Sequence, residues 1–319
     1  MLPPRPEPAA AALGTMNFGR RTDAATSATI LHAALDAGVL HVDTANVYND
    51  GESERIVGRV LRERRGRLDG VVVGTKVGLA RHQGRPEGLA PARVLAACEE
   101  SLGRLGVDRI DLYTLHAPDP ATPPAETLGA IAELLAAGKI RAWGVSNFAS
   151  WQILELVGLA DAAGLPRPAV AQQLYNVLVR QLDIEYFAYA RRFPIETTVY
   201  NPLAGGLLTG AHRPDTPPPK GSRFDRNALY RGRYWQAPLF AAVEAVGAIA
   251  AAHGLTPLTL AYAFVFRHPG VDRVLLGPAS EAHLAAGLAA RAAEVPPEAL
   301  AALDAVALRL AGTDARYAR

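Results

Sequence analysis

The sequence predicts an α/β fold: a (β/α)8 TIM barrel of eight parallel strands with a long loop after strand 7. Three observations predict it. Short β-branched runs alternate with longer Ala/Leu-rich stretches of helical pattern, and regular alternation of this kind builds a parallel sheet. Most strand runs are apolar on both faces, as strands covered by helices must be. No G-x-G-x-x-G follows a strand, which removes the mark of the competing doubly wound sheet; 205-GGLLTG-210 has the wrong spacing. The 319 residues suit a single domain over 1–319, with 1–11 read as a flexible tail.

The elements follow in order. The strand runs are 13-LGTMNFG-19, 39-VLHVDT-44, 71-VVVGTKV-77, 110-IDLYTLH-116, 140-IRAWGVSN-147, 169-AVAQQLYN-176, 195-IETTVY-200 and 272-DRVLLG-277. Helical patterns cover 24–38, 52–66, 91–105, 125–138, 150–164, 181–193 and 238–254, and a last helix starts near Ser280. Glycine ends several of them, as a left-handed C′ residue should. Segment 207–237 is rich in Pro, Gly and Arg, and a loop of that length in a compact domain is usually functional or disordered. No linker divides the chain.

Composition narrows the partners. Half the residues are hydrophobic, enough for a large core, and the formal net charge is only +2. That balance makes no electrostatic case for nucleic acid or an anionic membrane. The opening MLPPRPEPAAAALGTM has prolines where a secretory leader needs an apolar stretch. No uncharged apolar run reaches the roughly 18 residues of a membrane span. Cys98 has no partner for a disulfide and falls in a helical pattern, so a reducing, cytoplasmic setting is expected.

In a barrel, chemistry gathers where strands end. Strand two ends in Asp43, with Tyr48 in the loop beyond; strand three ends in Lys76; strand four in His116; strand five in Ser146 and Asn147. The sixth carries Gln172, and the seventh ends in Tyr200 and Asn201. A turn accounts for acid, Asn and Gly residues at a strand end. Lys76 is harder to dismiss. The chain's lysines are Lys76, Lys139 and Lys220, and one of them stands at the end of a buried strand, where burial is expensive. It could snorkel and merely pair with Asp43. With Tyr48 nearby it could instead stabilise a tyrosinate. His116 could orient a carbonyl or be a structural histidine; His32, His82, His212 and His253 stand alone. No metal motif, nucleophile elbow or C-x-x-C is present. A Tyr, Lys, Asp and His set without nucleophile or metal points to proton delivery, and proton delivery to a carbonyl needs a hydride source, hence a nicotinamide cofactor.

These pieces resemble an aldo-keto reductase. The matching segments, in order, are 43-DTANVYNDGESE-54, 74-GTK-76, 115-LH-116, 138-GKIRAWGVSNF-148, 172-QQLYN-176 and 200-YNPLAGGLLTG-210. Segments 14-GTMNFGRRTDA-24, 116-HAPD-119, 222-SRFDRNALYRGRYW-235 and 317-YAR-319 are similar to the aflatoxin-aldehyde/succinic-semialdehyde reductase branch.

The resemblance implies NADPH-dependent reduction of aldehydes or ketones by hydride transfer. Tyr48 would be the general acid, Lys76 with Asp43 would lower its pKa, and His116 would orient the carbonyl. Ser146, Asn147 and Gln172 would bond the nicotinamide carboxamide, and Tyr200 would stack on its ring. Asn201, Pro202, Leu203, Ala204, Gly205, Gly206, Leu207, Leu208 and Gly210 would wrap the pyrophosphate. Arg223, Gly277, Ser280 and His283 would hold the adenosine end. Gly287 stands where the family commonly has Asn, and segment 277–287 lacks the usual Lys or Arg, which leaves NADH open; the helix N-terminus there favours an anion and Arg223 could add charge, so NADPH is the expected cofactor. Met16, Arg231, Trp235 and Arg319 would line the substrate mouth, suiting aldehydes with a second carbonyl or a carboxylate. The expected partner is a small carbonyl compound, with a monomer or homodimer. Two other readings stay open: a nucleotide-sensing regulatory subunit, and an NAD-dependent sugar or alcohol dehydrogenase.

Overall fold

The computed structural model describes residues 8–82 and 84–317. Eight strands close into a barrel: β1 (Ala10–Gly14), β2 (His41–Asp43), β3 (Val72–Val77), β4 (Ile110–Leu115), β5 (Ile140–Ser146), β6 (Val170–Leu174), β7 (Glu196–Tyr200) and β8 (Arg273–Leu276). Each pairs in parallel with its sequence neighbours, and β1 closes the ring by pairing with both β2 and β8. Among the described residues, no single helix is long and apolar enough to cross a membrane.

The first strand corrects the expectation. It spans Ala10–Gly14, ahead of the predicted 13–19, so the expected 1–11 tail does not hold over its last residues. Ala9 is buried, its N–H donates to Phe266 O at 2.8 Å, and Arg291 Nε donates to its carbonyl at 2.8 Å. The run AAALG carries no β-branched residue, so propensity could not find it. Its small side chains suit the space: a Cβ on Gly14 would already stand 3.3 Å from Leu276 O.

Helices connect the strands: α1 (Ala24–Asp36), α2 (Glu52–Glu63), α3 (Pro91–Leu105), α4 (Pro124–Ala136), α5 (Ser150–Ala162) and α6 (Tyr186–Arg192). The caps explain several boundaries. Asp23 accepts the Thr26 N–H at 2.9 Å to start α1, and Gly106, in the left-handed region, ends α3. The predicted helix over 181–193 is broken, with a 3-10 turn at Gln181–Asp183 before α6.

The segment after β7 is less irregular than its composition suggests. It holds a 3-10 stretch (Ala204–Thr209), the short helix α7 (Ala228–Tyr234), then α8 (Ala237–Ala252) and α9 (Pro257–Phe266). Ser280 caps α10 (Glu281–Ala292) by accepting the His283 N–H at 3.2 Å, and α11 (Pro297–Ala311) follows it. A small hairpin, Arg81–His82 with Arg85–Pro86, sits between β3 and α3.

Candidate active site

β2 delivers Asp43 to the barrel interior and the chain then turns sharply. Asn49, Asp50 and Gly51 all have positive φ, at 53°, 55° and 79°. Short polar residues and glycine tolerate this region, so the turn reading holds for these three. They carry the chain into α2 and leave Tyr48 at the mouth, partly exposed. Three buried hydroxyls pin the loop from below: Ser53 Oγ lies 2.7 Å from Thr15 Oγ1 and 3.0 Å from Thr44 Oγ1. On the β1 side, the Asn49 amide donates to the Phe18 carbonyl.

Lys76, fully buried on β3, is the centre of the site. Its Nζ donates to Asp43 Oδ2 at 2.6 Å and to Thr44 O at 2.7 Å, and lies 3.5 Å from the Tyr48 hydroxyl. Three donors meet three acceptors, the full capacity of an ammonium. Gln172 reaches across the barrel from β6 and donates to the other Asp43 oxygen at 2.9 Å. The His116 ring stands edge-on to the Tyr48 ring with centroids 5.9 Å apart, and its Nδ1 is buried without a partner.

The electrostatics differ from the expectation at Tyr48. Burial pushes its phenol up and outweighs the pull of Lys76, so its pKa rises above the usual tyrosine value instead of falling. Burial works against the Lys76 ammonium, but Asp43 and Tyr48 overcome it and hold the lysine charged. Burial, with Lys76 adding to it, keeps His116 well below the usual histidine value and hence neutral. The set presents a protonated phenol, a charged ammonium behind it and a neutral imidazole beside it.

The rim predicted to hold a cofactor is tied together internally. Asn147, itself at φ 63°, donates to His116 O at 2.9 Å and to Ser146 Oγ at 3.1 Å, and its Oδ1 accepts the Tyr200 hydroxyl at 2.7 Å. Both its amide donors are therefore used within the protein. Asn201 Oδ1 accepts the Gly205 N–H at 2.6 Å, which curls 201–210 into a tight loop. Gly205 and Gly206 have φ of 72° and 103°. A Cβ on Gly205 would strike the Tyr230 ring at 2.8 Å, while one on Gly206 would meet only His212 Nε2, at 3.7 Å. Pro202, Leu203, Ala204, Leu207, Leu208 and Gly210 complete this loop, and Leu207 and Leu208 are buried beneath it. Gly277 and His283 are exposed beside Ser280 at the start of α10. Gly287 has a packing reason: a Cβ there would press on Leu276 at 3.2 Å, so α10 rests directly on β8.

A nicotinamide dinucleotide fits these residues. Arg21 donates to the Arg223 carbonyl at 3.1 Å, and its pKa is lowered by burial and then by the charges of Arg223 and Arg20. Such a crowd of cations suits a phosphate-bearing ligand, and so does the N-terminus of α10.

The long loop sets its residues in different surroundings. Arg223 lies over the Tyr230 ring at 5.3 Å, and Arg233 lies near both Tyr230 and Tyr234. Tyr200, Tyr230 and Tyr48 sense one another electrostatically, and Arg233 draws the Tyr200 phenol down while burial pushes it up to about 12. Arg231 is exposed on α7, whereas Tyr230 and Tyr234 are buried. Arg233, Tyr230 and Arg21 were not selected from sequence. The i, i+4 spacing of Tyr230 and Tyr234 was the available signal for a helix with Arg233 near its inner side. Trp235 packs inside the loop, 5.0 Å from Phe224 and 5.1 Å from Phe240 between ring centroids. Met16 is 41% exposed on the loop after β1. Arg319 lies outside the described residues.

Comparison with known proteins shows the family. A model of the aldo/keto reductase family matches residues 11–308. Aflatoxin B1 aldehyde reductase member 2 of Homo sapiens is 37% identical over 301 residues, 90% of this chain and 83% of the relative. Aldo-keto reductase family 7 member A3 of Homo sapiens is 37% identical over 310 residues, 93% of this chain and 92% of that one. A probable voltage-gated potassium channel subunit beta of Arabidopsis thaliana is 30% identical over 272 residues, 84% of this chain and 83% of the relative. With a parallel barrel carrying Asp43, Tyr48, Lys76 and His116 at one mouth, the chain belongs to the aldo/keto reductase family and is an oxidoreductase.

Proposed function

We propose that this enzyme reduces aldehydes or ketones to alcohols with NADPH, and that Tyr48 delivers the proton. The observation that carries the reading is the position of Lys76 Nζ, 2.6 Å from Asp43 Oδ2 and 3.5 Å from the Tyr48 hydroxyl. An ammonium in that place lends its proton to the phenol oxygen, so the phenol's own proton is directed away from Lys76. The raised Tyr48 pKa keeps that proton on the phenol at neutral pH, as a general acid requires. As the phenolate forms, the adjacent ammonium stabilises it without rearrangement. Asp43 and Gln172 hold the ammonium still. His116, neutral, offers a hydrogen bond to the carbonyl oxygen beside Tyr48.

The nicotinamide cofactor supplies the hydride when bound. Ser146, Gln172 and the remaining acceptor capacity of Asn147 are the groups for its carboxamide, Tyr200 is the face for its ring, and 201–210 with Arg223, Gly277, Ser280 and His283 is the cradle for its phosphates. Arg21 joins Arg223 in this proposal and supports NADPH over NADH. Substrates are aldehydes with a second carbonyl or a carboxylate. The Arg233 cation, close to Tyr230 and acting on the Tyr200 phenol, supports this class, as do the relatives named for an aflatoxin aldehyde.

The test is a Tyr48→Phe variant on an aldehyde panel with both cofactors. Phe keeps the ring and removes the acid. We expect turnover to fall roughly 10²–10⁴-fold with every aldehyde; wild-type turnover overturns the mechanism. The likeness to a channel subunit makes a second reading, nucleotide sensing without turnover. Absence of turnover by the wild-type chain with every aldehyde, despite tight cofactor binding, selects it.

A further inference from the structure

Glu87 lies between the small hairpin and α3, outside the proposed catalytic set. It is only 8% exposed, yet its carboxylate is among the most heavily bonded in the molecule. Oε1 accepts from the Asn46 amide at 2.9 Å and from Arg93 Nε at 3.1 Å. Oε2 accepts from the same amide at 3.1 Å, from the Gly78 N–H at 2.7 Å and from the Ala80 N–H at 3.3 Å. One buried side chain thereby joins three parts of the mouth: the loop after β2, the loop after β3, and α3.

The loop it holds on the β2 side is the one that bears Tyr48. Asn46 precedes Tyr48 by two residues, and three consecutive residues just beyond Tyr48 have positive φ. Two of these are not glycine, so the surroundings must hold the conformation against its backbone cost. The β1 side supplies the Asn49 bond and the hydroxyl cluster. On the opposite side the Asn46 amide is the side-chain anchor, and Glu87 sets its orientation. Turned the other way, the Asn46 oxygen would face two carboxylate oxygens. In the observed orientation that oxygen is buried without a partner, a cost that the double contact with Glu87 offsets.

Glu87 is also well anchored. The Leu89 N–H donates to Asp119 Oδ2 at 2.7 Å, and Thr127 Oγ1 donates to Leu89 O at 3.0 Å. The backbone two residues beyond Glu87 is therefore fixed to the next unit of the barrel, and a fixed point on that side can define where the Tyr48 loop stands.

We propose that Glu87 is a positioning residue: through Asn46 it sets the place of the Tyr48 hydroxyl against Lys76. This rests on Tyr48 being the proton donor. A phenol displaced by about 1 Å loses on the order of 10²-fold in rate, whereas groups that bind the cofactor on other strands stay in place.

Glu87→Ala, Glu87→Gln, Asn46→Ala and the double variant Glu87→Ala/Asn46→Ala test it. The measurements are kcat and KM with a neutral aromatic aldehyde, NADPH Kd by fluorescence, and the thermal midpoint. We expect Glu87→Ala and Asn46→Ala each to lower kcat roughly 10–100-fold. NADPH Kd and KM should stay within about twofold. The double variant should lose no more than the worse single one, because the two act through one contact. Glu87→Gln, which keeps an oxygen for Asn46, should recover part of the rate. Wild-type kcat in folded Asn46→Ala and Glu87→Ala, or losses that multiply in the double variant, overturn the proposal. Should Glu87→Ala not fold, Asn46→Ala and Glu87→Gln decide it. Tyr48→Phe separates the two levels: full activity there overturns the proton-donor reading itself, while an inactive Tyr48→Phe beside a fully active Glu87→Ala overturns only the positioning role.

Discussion

Lys76 and Asp43 form a buried ion pair, 2.6 Å apart, on adjacent strands at the mouth of the barrel, and the Asp43 side chain is 5% exposed while that of Lys76 is fully buried. Neither charge has water to fall back on. The pair survives burial because Thr44 O and Gln172 satisfy what the two leave over.

Removing one partner should therefore cost more than removing both. Asp43→Ala leaves a buried ammonium and should lower stability by roughly 3–5 kcal/mol. Adding Lys76→Met should restore part of that loss. Urea titration of the three variants measures it; a loss below about 1 kcal/mol in Asp43→Ala contradicts the picture. The raised Lys76 pKa also fixes a sign. Its stabilisation is complete below the ordinary lysine value of about 10.5 and is lost as pH climbs through the higher folded value.

The directions at Tyr48 and His116 predict the pH profile of reduction. Tyr48 keeps its proton past its ordinary value of about 10, and His116 stays neutral well below its ordinary value of about 6.5. The rate should be level between those two values. Steady-state turnover under saturating cofactor would show it, and an inflection near pH 6.5 would contradict a neutral His116.

His41 makes the fold acid-sensitive. It is buried inside the barrel with an unpartnered Nδ1, and burial, then the charges of Arg273 and Lys76, push its pKa down to about 3. The unfolded chain takes a proton near pH 6.5 and the folded chain does not. Stability is thus intact above about 6.5 and declines as pH falls toward the folded value. By pH 5 this residue alone should cost on the order of 2 kcal/mol. His41→Gln should flatten the difference between denaturation curves at pH 7 and pH 5; an unchanged difference would assign the acid loss elsewhere.

The placement of the loop arginines predicts which one reads a carboxylate. Arg233 lies against Tyr230 and Tyr234, while Arg231 is exposed. Arg233→Ala should raise KM for a carboxylated aldehyde roughly tenfold and spare a neutral one. Arg231→Ala should change neither. Truncation of Arg319 is a third arm, expected to act like Arg233→Ala. Equal kinetics of all three on both substrates would remove the carboxylate from the proposed substrate class.

Most of the barrel could be read along the chain because strand and helix leave local marks. Apolar β-branched runs marked seven strands, and caps such as Asp23 and Ser280 marked helix starts. β1 escaped because Ala10–Gly14 fits its place by being small, a property of the space around it. The four residues of the proposed catalytic set were each legible as a polar group at or just beyond a strand end. Arg233 and Glu87 were not, since nothing beside them in sequence says what they touch.

The sequence by itself determined the barrel and the polar residues at its strand ends: Asp43, Lys76 and His116, with Tyr48 just beyond the first. Those depend on periodicity and residue type, which are local. Only the tertiary structure decided the balance at Tyr48, where burial outweighs an ammonium 3.5 Å away. It alone showed that the amide donors of Asn147 are spent on the rim, that Arg233 lies against the buried tyrosines of α7, and that Glu87 accepts the Asn46 amide in the Tyr48 loop. Each of these turns on desolvation or on distances between groups far apart in the chain, and no local pattern encodes either.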